Sequence, residues 1–192
     1  MQEPALEQRI EVARRLNRGG VSAAPLSRLP LLSIFDDDEY ENYDFDVVSP
    51  RRRLRIGKIL TADGFRQASG SRIESPNGGA PILFPKPGIL GSDPSRPAAD
   101  LLARGGGIIV VTPTQALLLY LHRFGPETAS TDEPELTRLV WEQPANLDKV
   151  HEWARAAGHE VPFSKLRPAL TEAQAEGIDL RRRQIFRSQL PR

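Results

Sequence analysis

The sequence feature that most constrains the fold is the stretch 105–125, GGGIIVVTPTQALLLYLHRFG. Its four consecutive β-branched residues, 108–111, favour a buried strand. The residues 116–121 that follow are apolar on nearly every side, which is typical of a helix buried all round. We therefore predict a core unit made of a strand, a tight turn and a helix over 113–124.

The turn of this unit has the chemistry of a helix cap. Thr112 is a suitable N-cap, Pro113 fits the first helical position, and Gln115 completes a Thr-x-x-Gln capping box. Phosphate-binding loops place their glycines after the strand, whereas the three glycines here precede it. Pro113 also lacks the amide that such a loop uses. The pattern excludes a nucleotide-binding loop at this turn.

The same unit resembles the C-terminal half of AbiEi-type bacterial antitoxins, which belong to abortive-infection toxin–antitoxin pairs. The matching residues are Val111, Thr112, Pro113, Ala116, Leu117 and Leu118, and residues 145–158 are similar to the small helical repeat that follows in that family. The resemblance implies an antitoxin with a toxin-like protein partner. It also implies a basic winged helix at the N-terminus, but residues 1–50 hold ten acidic and only five basic residues.

Hydrophobic periodicity predicts an α+β fold, in which a small mixed or antiparallel sheet in the N-terminal half is packed by about four C-terminal helices. We divide the chain into residues 1–69, a Pro- and Gly-rich loop over 70–107, and a strand followed by helices over 108–192, all within one compact domain. The predicted strands are 31–35, 44–47, 53–60 and 82–84. The predicted helices are 4–18, 113–124, 134–142, 147–157 and 171–188, the last with a weak point at Gly177.

Charge is segregated along the chain although the formal net charge is only +1. Two basic groups are candidate partner-binding residues, because arginine binds phosphate and carboxylate through two parallel hydrogen bonds. They comprise Arg51, Arg52, Arg53, Arg55 and Lys58 in the first group, and Arg181, Arg182, Arg183 and Arg187 in the second. The alternative is a solvated strand edge and a helix C-terminus, where cations are favourable.

An acidic block precedes the first basic group and forms a candidate acidic surface. It comprises Asp36, Asp37, Asp38, Glu39, Glu41, Asp44 and Asp46. Hard cations prefer such oxygen ligands, so a metal-dependent nuclease that uses Asp44, Asp46 and Lys58 is one alternative. The other is a solvated loop, and the spacing excludes a calcium-binding loop of the EF-hand type.

Several other classes of site are excluded. The chain has no cysteine, so disulfides, thiolate metal sites and cysteine nucleophiles are ruled out. The spacing of the three histidines does not fit a helical zinc site, and no serine lies in a nucleophile elbow. Trp141 and Trp153 lie at apolar helical spacing and are predicted to be core residues. We expect no catalytic residue, no metal and no cofactor.

Three functions remain open. The first is a non-enzymatic regulator or neutraliser, of the antitoxin or immunity type, that binds a macromolecular partner through its charged surfaces. The second is a DNA-binding transcriptional regulator that uses the basic segments, and the third is the metal-dependent hydrolase. The absence of an apolar leader and of any run of 18 apolar residues predicts a cytoplasmic protein that does not span a membrane.

Overall fold

The computed structural model describes residues 5–35, 48–85, 106–125 and 131–189. Its helices are α1 (Leu6–Arg18), α2 (Pro50–Ala62), α3 (Pro113–Phe124), α4 (Glu133–Glu142), α5 (Leu147–Ala156) and α6 (Glu160–Gln189). Its strands are β1 (Ser22–Pro25), β2 (Leu31–Phe35), β3 (Arg66–Ser69), β4 (Arg72–Glu74), β5 (Ile82–Leu83) and β6 (Ile108–Val111). A single 3₁₀ turn at Pro76–Gly78 connects β4 to β5.

The six strands form one mixed sheet in the order β1-β2-β6-β5-β4-β3. The two central pairings, β2 with β6 and β6 with β5, are parallel, and the outer pairings are antiparallel. The sheet lies in the first 111 residues and most helices follow it, so the predicted α+β class is confirmed. The sheet draws strands from all three segments into which the sequence was divided.

Helices cover both faces of the sheet because the central strands are apolar on both sides. In β6, Ile109 and Val111 point into a core with α3, α4, α5 and α6. The alternate residues Ile108 and Val110 point into a second core with α1 and α2. The period-two alternation of side chains in a strand produces this division. The outcome is a three-layer arrangement with the sheet in the middle.

The predicted strand–turn–helix unit is confirmed. Thr112 is the N-cap of α3, and its hydroxyl accepts a hydrogen bond from the Gln115 amide at 3.3 Å. In return, Thr112 donates its own amide to the Gln115 side chain at 3.2 Å, which completes the capping box. Every residue from 113 to 121 is buried. No described helix is long and apolar enough to cross a membrane.

The strand predicted over residues 53–60 is wrong, because this segment belongs to helix α2. Ser49 is the N-cap and accepts a hydrogen bond from the Arg52 amide at 3.2 Å, and Pro50 occupies the start of the helix. Ile56 and Leu60, four residues apart, are then buried on one face. The cap and this helical spacing prevail over the shorter alternation of apolar residues.

The last helix is longer than the predicted segment 171–188. Helix α6 begins at Glu160 and continues through Pro168 and through the predicted weak point at Gly177. Pro168 is exposed, so water can satisfy the carbonyl that loses its helical partner. Gly177 is buried against α4, and this packing holds the helix together there.

The sheet also contains strands that were not predicted, namely β1, β3 and β4. Part of the predicted loop over 70–107 is therefore structured, and the strand expected near 82–84 is confirmed as β5. The remainder of that loop, residues 86–105, and the strand predicted over 44–47 lie outside the described residues.

A polar cluster connects the turn between β1 and β2 to α4. The Glu135 carboxylate accepts hydrogen bonds from the Ser27 amide at 2.6 Å, the Ser27 hydroxyl at 2.8 Å and the Tyr120 hydroxyl at 3.1 Å. Burial raises the pKa of Tyr120 far above its usual value, and the negative charges of Glu135 and Asp132 raise it further. The tyrosine is held in its neutral form.

We expect Tyr120 to remain neutral in the folded protein when the pH rises past the ordinary tyrosine pKa of about 10. Because folding raises this pKa, the stabilisation is complete below about pH 10 and is lost as the pH rises towards the folded-state value. The free energy of unfolding should therefore fall more steeply above pH 10 in the wild type than in Tyr120→Phe. Denaturant titrations across this range, with tyrosinate absorbance recorded in parallel, measure both effects; identical slopes would contradict the prediction.

Candidate partner-binding surface

The outer face of α2 carries exposed residues of two kinds. Arg51 and Lys58 are exposed and lie two helical turns apart. Between them, Leu54 exposes 59% of its surface. Helix α2 contains no acidic residue. This face therefore combines cationic side chains with an apolar contact.

The other arginines of the first basic group contact the protein itself. Arg52 is buried, with 4% of its surface exposed. Arg53 donates to the carbonyl of Val48 at 2.9 Å and to that of Pro85, and its guanidinium lies 5.5 Å from the ring centre of Phe84. Burial lowers the pKa of Arg53. These two residues connect α2 to the protein interior rather than presenting charge to solvent.

Arg55 is half-buried at the junction of α1 and α2. Its guanidinium donates to the Gly20 carbonyl at 3.1 Å, just beyond the end of α1. A cation at this position interacts favourably with the C-terminal end of a helix. Of the five predicted residues in this group, Arg51 and Lys58 are thus the ones that the structure leaves exposed.

Strand β3 lies beside α2 and extends the same surface. A Cβ atom at Gly57 would lie 3.1 Å from the Gln67 side-chain oxygen, so the helix and the strand approach closely there. All four residues of β3 are exposed, including Arg66. We name Arg51, Leu54, Lys58, Arg66 and Gln67 the α2–β3 surface.

The second basic group is divided in a similar way. Arg181 donates to the carbonyls of Trp141 at 2.9 Å and Glu142 at 2.7 Å, at the C-terminus of α4. Arg182 and Arg183 are exposed, and Arg183 lies 3.8 Å from Asp179. The side chain of Arg187 lies outside the described part of the structure. Arg181 therefore has a structural contact, whereas its two neighbours face solvent.

A cleft of about 450 Å³ lies at the opposite end of the sheet from β3. Its lining includes Asn17 from α1, Ala23 from β1, and Trp141 and Leu180 from α4 and α6. The Asn17 side-chain amide accepts a hydrogen bond from the Ala23 amide at 2.8 Å and donates to the Ala23 carbonyl at 3.0 Å. Asn17 thus occupies the hydrogen-bonding positions that a further strand would need at this edge.

The tryptophan predictions have different outcomes. Trp153 is buried with 8% exposure within the core of α3, α4, α5 and α6, as predicted. The prediction that Trp141 is a core residue is wrong, since 38% of its surface is exposed beside the cleft. Trp141 follows the buried Leu139 and Val140 on α4, and its side chain is rotated by about 100° from that of Val140, away from the buried face.

The acidic block of residues 36–46 lies outside the described residues, so its predicted roles stay predictions. Across the described ranges, no group of three histidine, aspartate or glutamate side chains is arranged to hold a metal ion. His151 lies 3.8 Å from the Glu160 carboxylate, which is an isolated pair.

Sequence reasoning missed Leu54 and Gln67 as parts of the surface. In a strand over 53–60, Leu54 and Ile56 would share one face, whereas the helix separates the two by 200°. Recognition of Ser49 and Pro50 as a helix start would have placed Leu54 on the solvent side. No local signal identifies Gln67, because β3 has no buried residue.

Comparison with known proteins identifies no relative: the chain matches no protein-family model, no curated protein and no solved structure.

Proposed function

We propose that this protein is a non-enzymatic regulator or neutraliser, of the antitoxin or immunity type, that binds a macromolecular partner through the α2–β3 surface. The observation that carries the proposal is the exposed face of α2, where Leu54 lies between the solvent-exposed cations Arg51 and Lys58. Protein interfaces commonly combine an apolar contact with arginine. A protein partner with an acidic, partly apolar surface fits this face.

The positive charge of this surface supports a negatively charged partner. Of the six basic residues between Pro50 and Ser69, Arg51, Lys58 and Arg66 are exposed, and the one acidic residue in this segment is Asp63. Asp63 itself lies 3.6 Å from Arg15 of α1, so its charge is already partly balanced. Such a surface attracts anionic partners and accelerates their association.

The first test reverses the charge of this face. We expect Arg51→Glu/Lys58→Glu to weaken binding of the protein partner by at least about tenfold, because rim charges steer association and a reversed charge repels an acidic surface. The measurement is quantitative capture from lysate of the source organism, followed by titration of the captured protein against the purified variant.

The matched control is Arg155→Glu/Lys165→Glu, which makes the same change of charge at two exposed positions on α5 and α6. The control should bind as the wild type does. A partner that all three proteins retain equally would refute the proposal, as would a partner lost equally from the test variant and the control.

A nucleic-acid-binding regulator is the second candidate function. The observation that favours it is that α2 contains no acidic residue, so no carboxylate on this helix offsets the charges of the exposed Arg51 and Lys58. Binding of labelled duplex DNA that weakens steeply with added salt would support this function, because phosphate contacts release counterions. Binding that is absent at low salt would exclude it.

A further inference from the structure

The two ends of the sheet differ in whether another strand can be added. At the β1 end, the Asn17 amide bonds to both the amide and the carbonyl of Ala23. The same strand ends at Pro25, which has no amide hydrogen to donate. Side chains that occupy the edge and proline within it are known means of preventing strand addition. The β1 end is closed.

Within the described residues, the β3 end has no proline and no side chain of another element bonded to its backbone, although its pairing with β4 is irregular between Gln67 and Ser69. Among the described strands, β3 has a neighbour on one side only, and its four residues, Arg66–Ser69, are exposed and include no proline. A strand paired on one side leaves alternate amide and carbonyl groups pointing outward. The Gln67 side chain donates to the Ser69 carbonyl at 3.1 Å, an exposed local contact that an incoming strand can replace.

Helix α2 lies beside this edge. Gly57 lies against the Gln67 side chain, and Leu54 lies one helical turn before Gly57 on the same side of the helix. On a strand that pairs with β3, every second side chain would face α2, and Leu54 can contact one of them. Lys58, next to Gly57, adds a cation to the same side of α2.

Charge selects among the strands that could add here. A second copy of this chain would bring Arg66 and Lys58 against the same cations of its partner, and like charges across strands are destabilising. An extended segment with carboxylates would instead meet opposite charges. The arginine that protects the edge from self-association thus favours an acidic strand.

We infer that the β3 edge accepts an extended, acidic segment of the partner, which adds as a seventh strand and places an apolar side chain on Leu54. The inference rests on the proposed function and specifies the chemistry of the partner. The backbone hydrogen bonds of β3 supply affinity, while Leu54, Lys58 and Arg66 supply selectivity.

The probe is a labelled eight-residue peptide of alternating glutamate and valine, with blocked termini. It is compared with its lysine–valine counterpart and with the same acidic peptide N-methylated at two consecutive central residues, which removes an amide from each edge. We expect the acidic peptide to bind at least about tenfold more tightly than either control. Hydrogen exchange of the β3 amides should slow by about tenfold or more when it is bound.

The variant Arg66→Glu should weaken binding of the acidic peptide by about tenfold. Arg155→Glu, an exposed charge reversal on α5, should not change it. Because both positions are exposed, each variant can be checked for an unchanged unfolding midpoint.

Three results would overturn the inference: no binding of the acidic peptide, equal binding of the N-methylated peptide, or tighter binding of duplex DNA than of the peptide. If the acidic peptide fails while Arg51→Glu/Lys58→Glu still loses its protein partner, strand addition is wrong and the proposed function stands. If the peptide binds at β3 but no protein partner depends on α2, the edge site stands and the proposed function is wrong.

Discussion

Replacing Gly177 with valine is expected to lower the free energy of unfolding by about 3 kcal/mol, one of the two largest effects that we predict. A Cβ atom at Gly177 would lie 2.0 Å from the carbonyl oxygen and 2.8 Å from the carbonyl carbon of Trp141. These are backbone atoms at the end of α4 and cannot rotate away. Helices α4 and α6 would have to separate. Chemical denaturation monitored by circular dichroism measures the change.

The control for this variant is Ala175→Val, which places the same side chain at an exposed position two residues earlier on α6. It changes helix propensity by only about 0.6 kcal/mol. A similar loss of stability in both variants would show that valine in this helix lowers stability by itself. That result would contradict the prediction that the close contact of Gly177 with Trp141 causes the loss. The separation of α4 from α6 should also change the fluorescence of Trp141.

The central part of the fold could be predicted because its signals are local. Residues 108–125 contain a β-branched run, a capping box and an apolar helix, and each of these reports on neighbours within a few residues. Strands β3 and β4 give no such signal, since Ile73 is their one buried residue. Their pairing depends on contacts distant in sequence, which no local pattern encodes.

Helix α2 shows why the candidate surface could be predicted only in part. The basic residues were visible in the sequence, but which of them face solvent depends on the secondary structure. As a strand, 53–60 would have presented Arg53 and Arg55 on one face. Helix α2 instead presents Arg51 and Lys58 and turns Arg52 inward. A strand prediction in place of a helix therefore assigns the wrong side chains to the exposed surface.

A buried polar network connects the C-terminal end of α4 to strands β1 and β2, and its disruption is the second large effect that we predict. Gln143 and Ser33 are both fully buried. The Ser33 hydroxyl donates to the Gln143 side-chain oxygen at 2.6 Å. The Gln143 side-chain nitrogen donates to the Ser22 hydroxyl at 3.2 Å and to the Ser33 carbonyl at 3.3 Å. One glutamine thus holds the end of α4 against β1 and β2.

We expect Gln143→Met to lower the free energy of unfolding by about 3 kcal/mol, because the Ser33 hydroxyl is left buried without its acceptor. The double variant Ser33→Ala/Gln143→Met should lose less than the two single variants together, since removing both partners leaves fewer unsatisfied polar atoms. A double-mutant cycle by chemical denaturation measures this coupling. If the losses simply add, Gln143 acts through packing alone, and the network does not hold α4 to the sheet by hydrogen bonding.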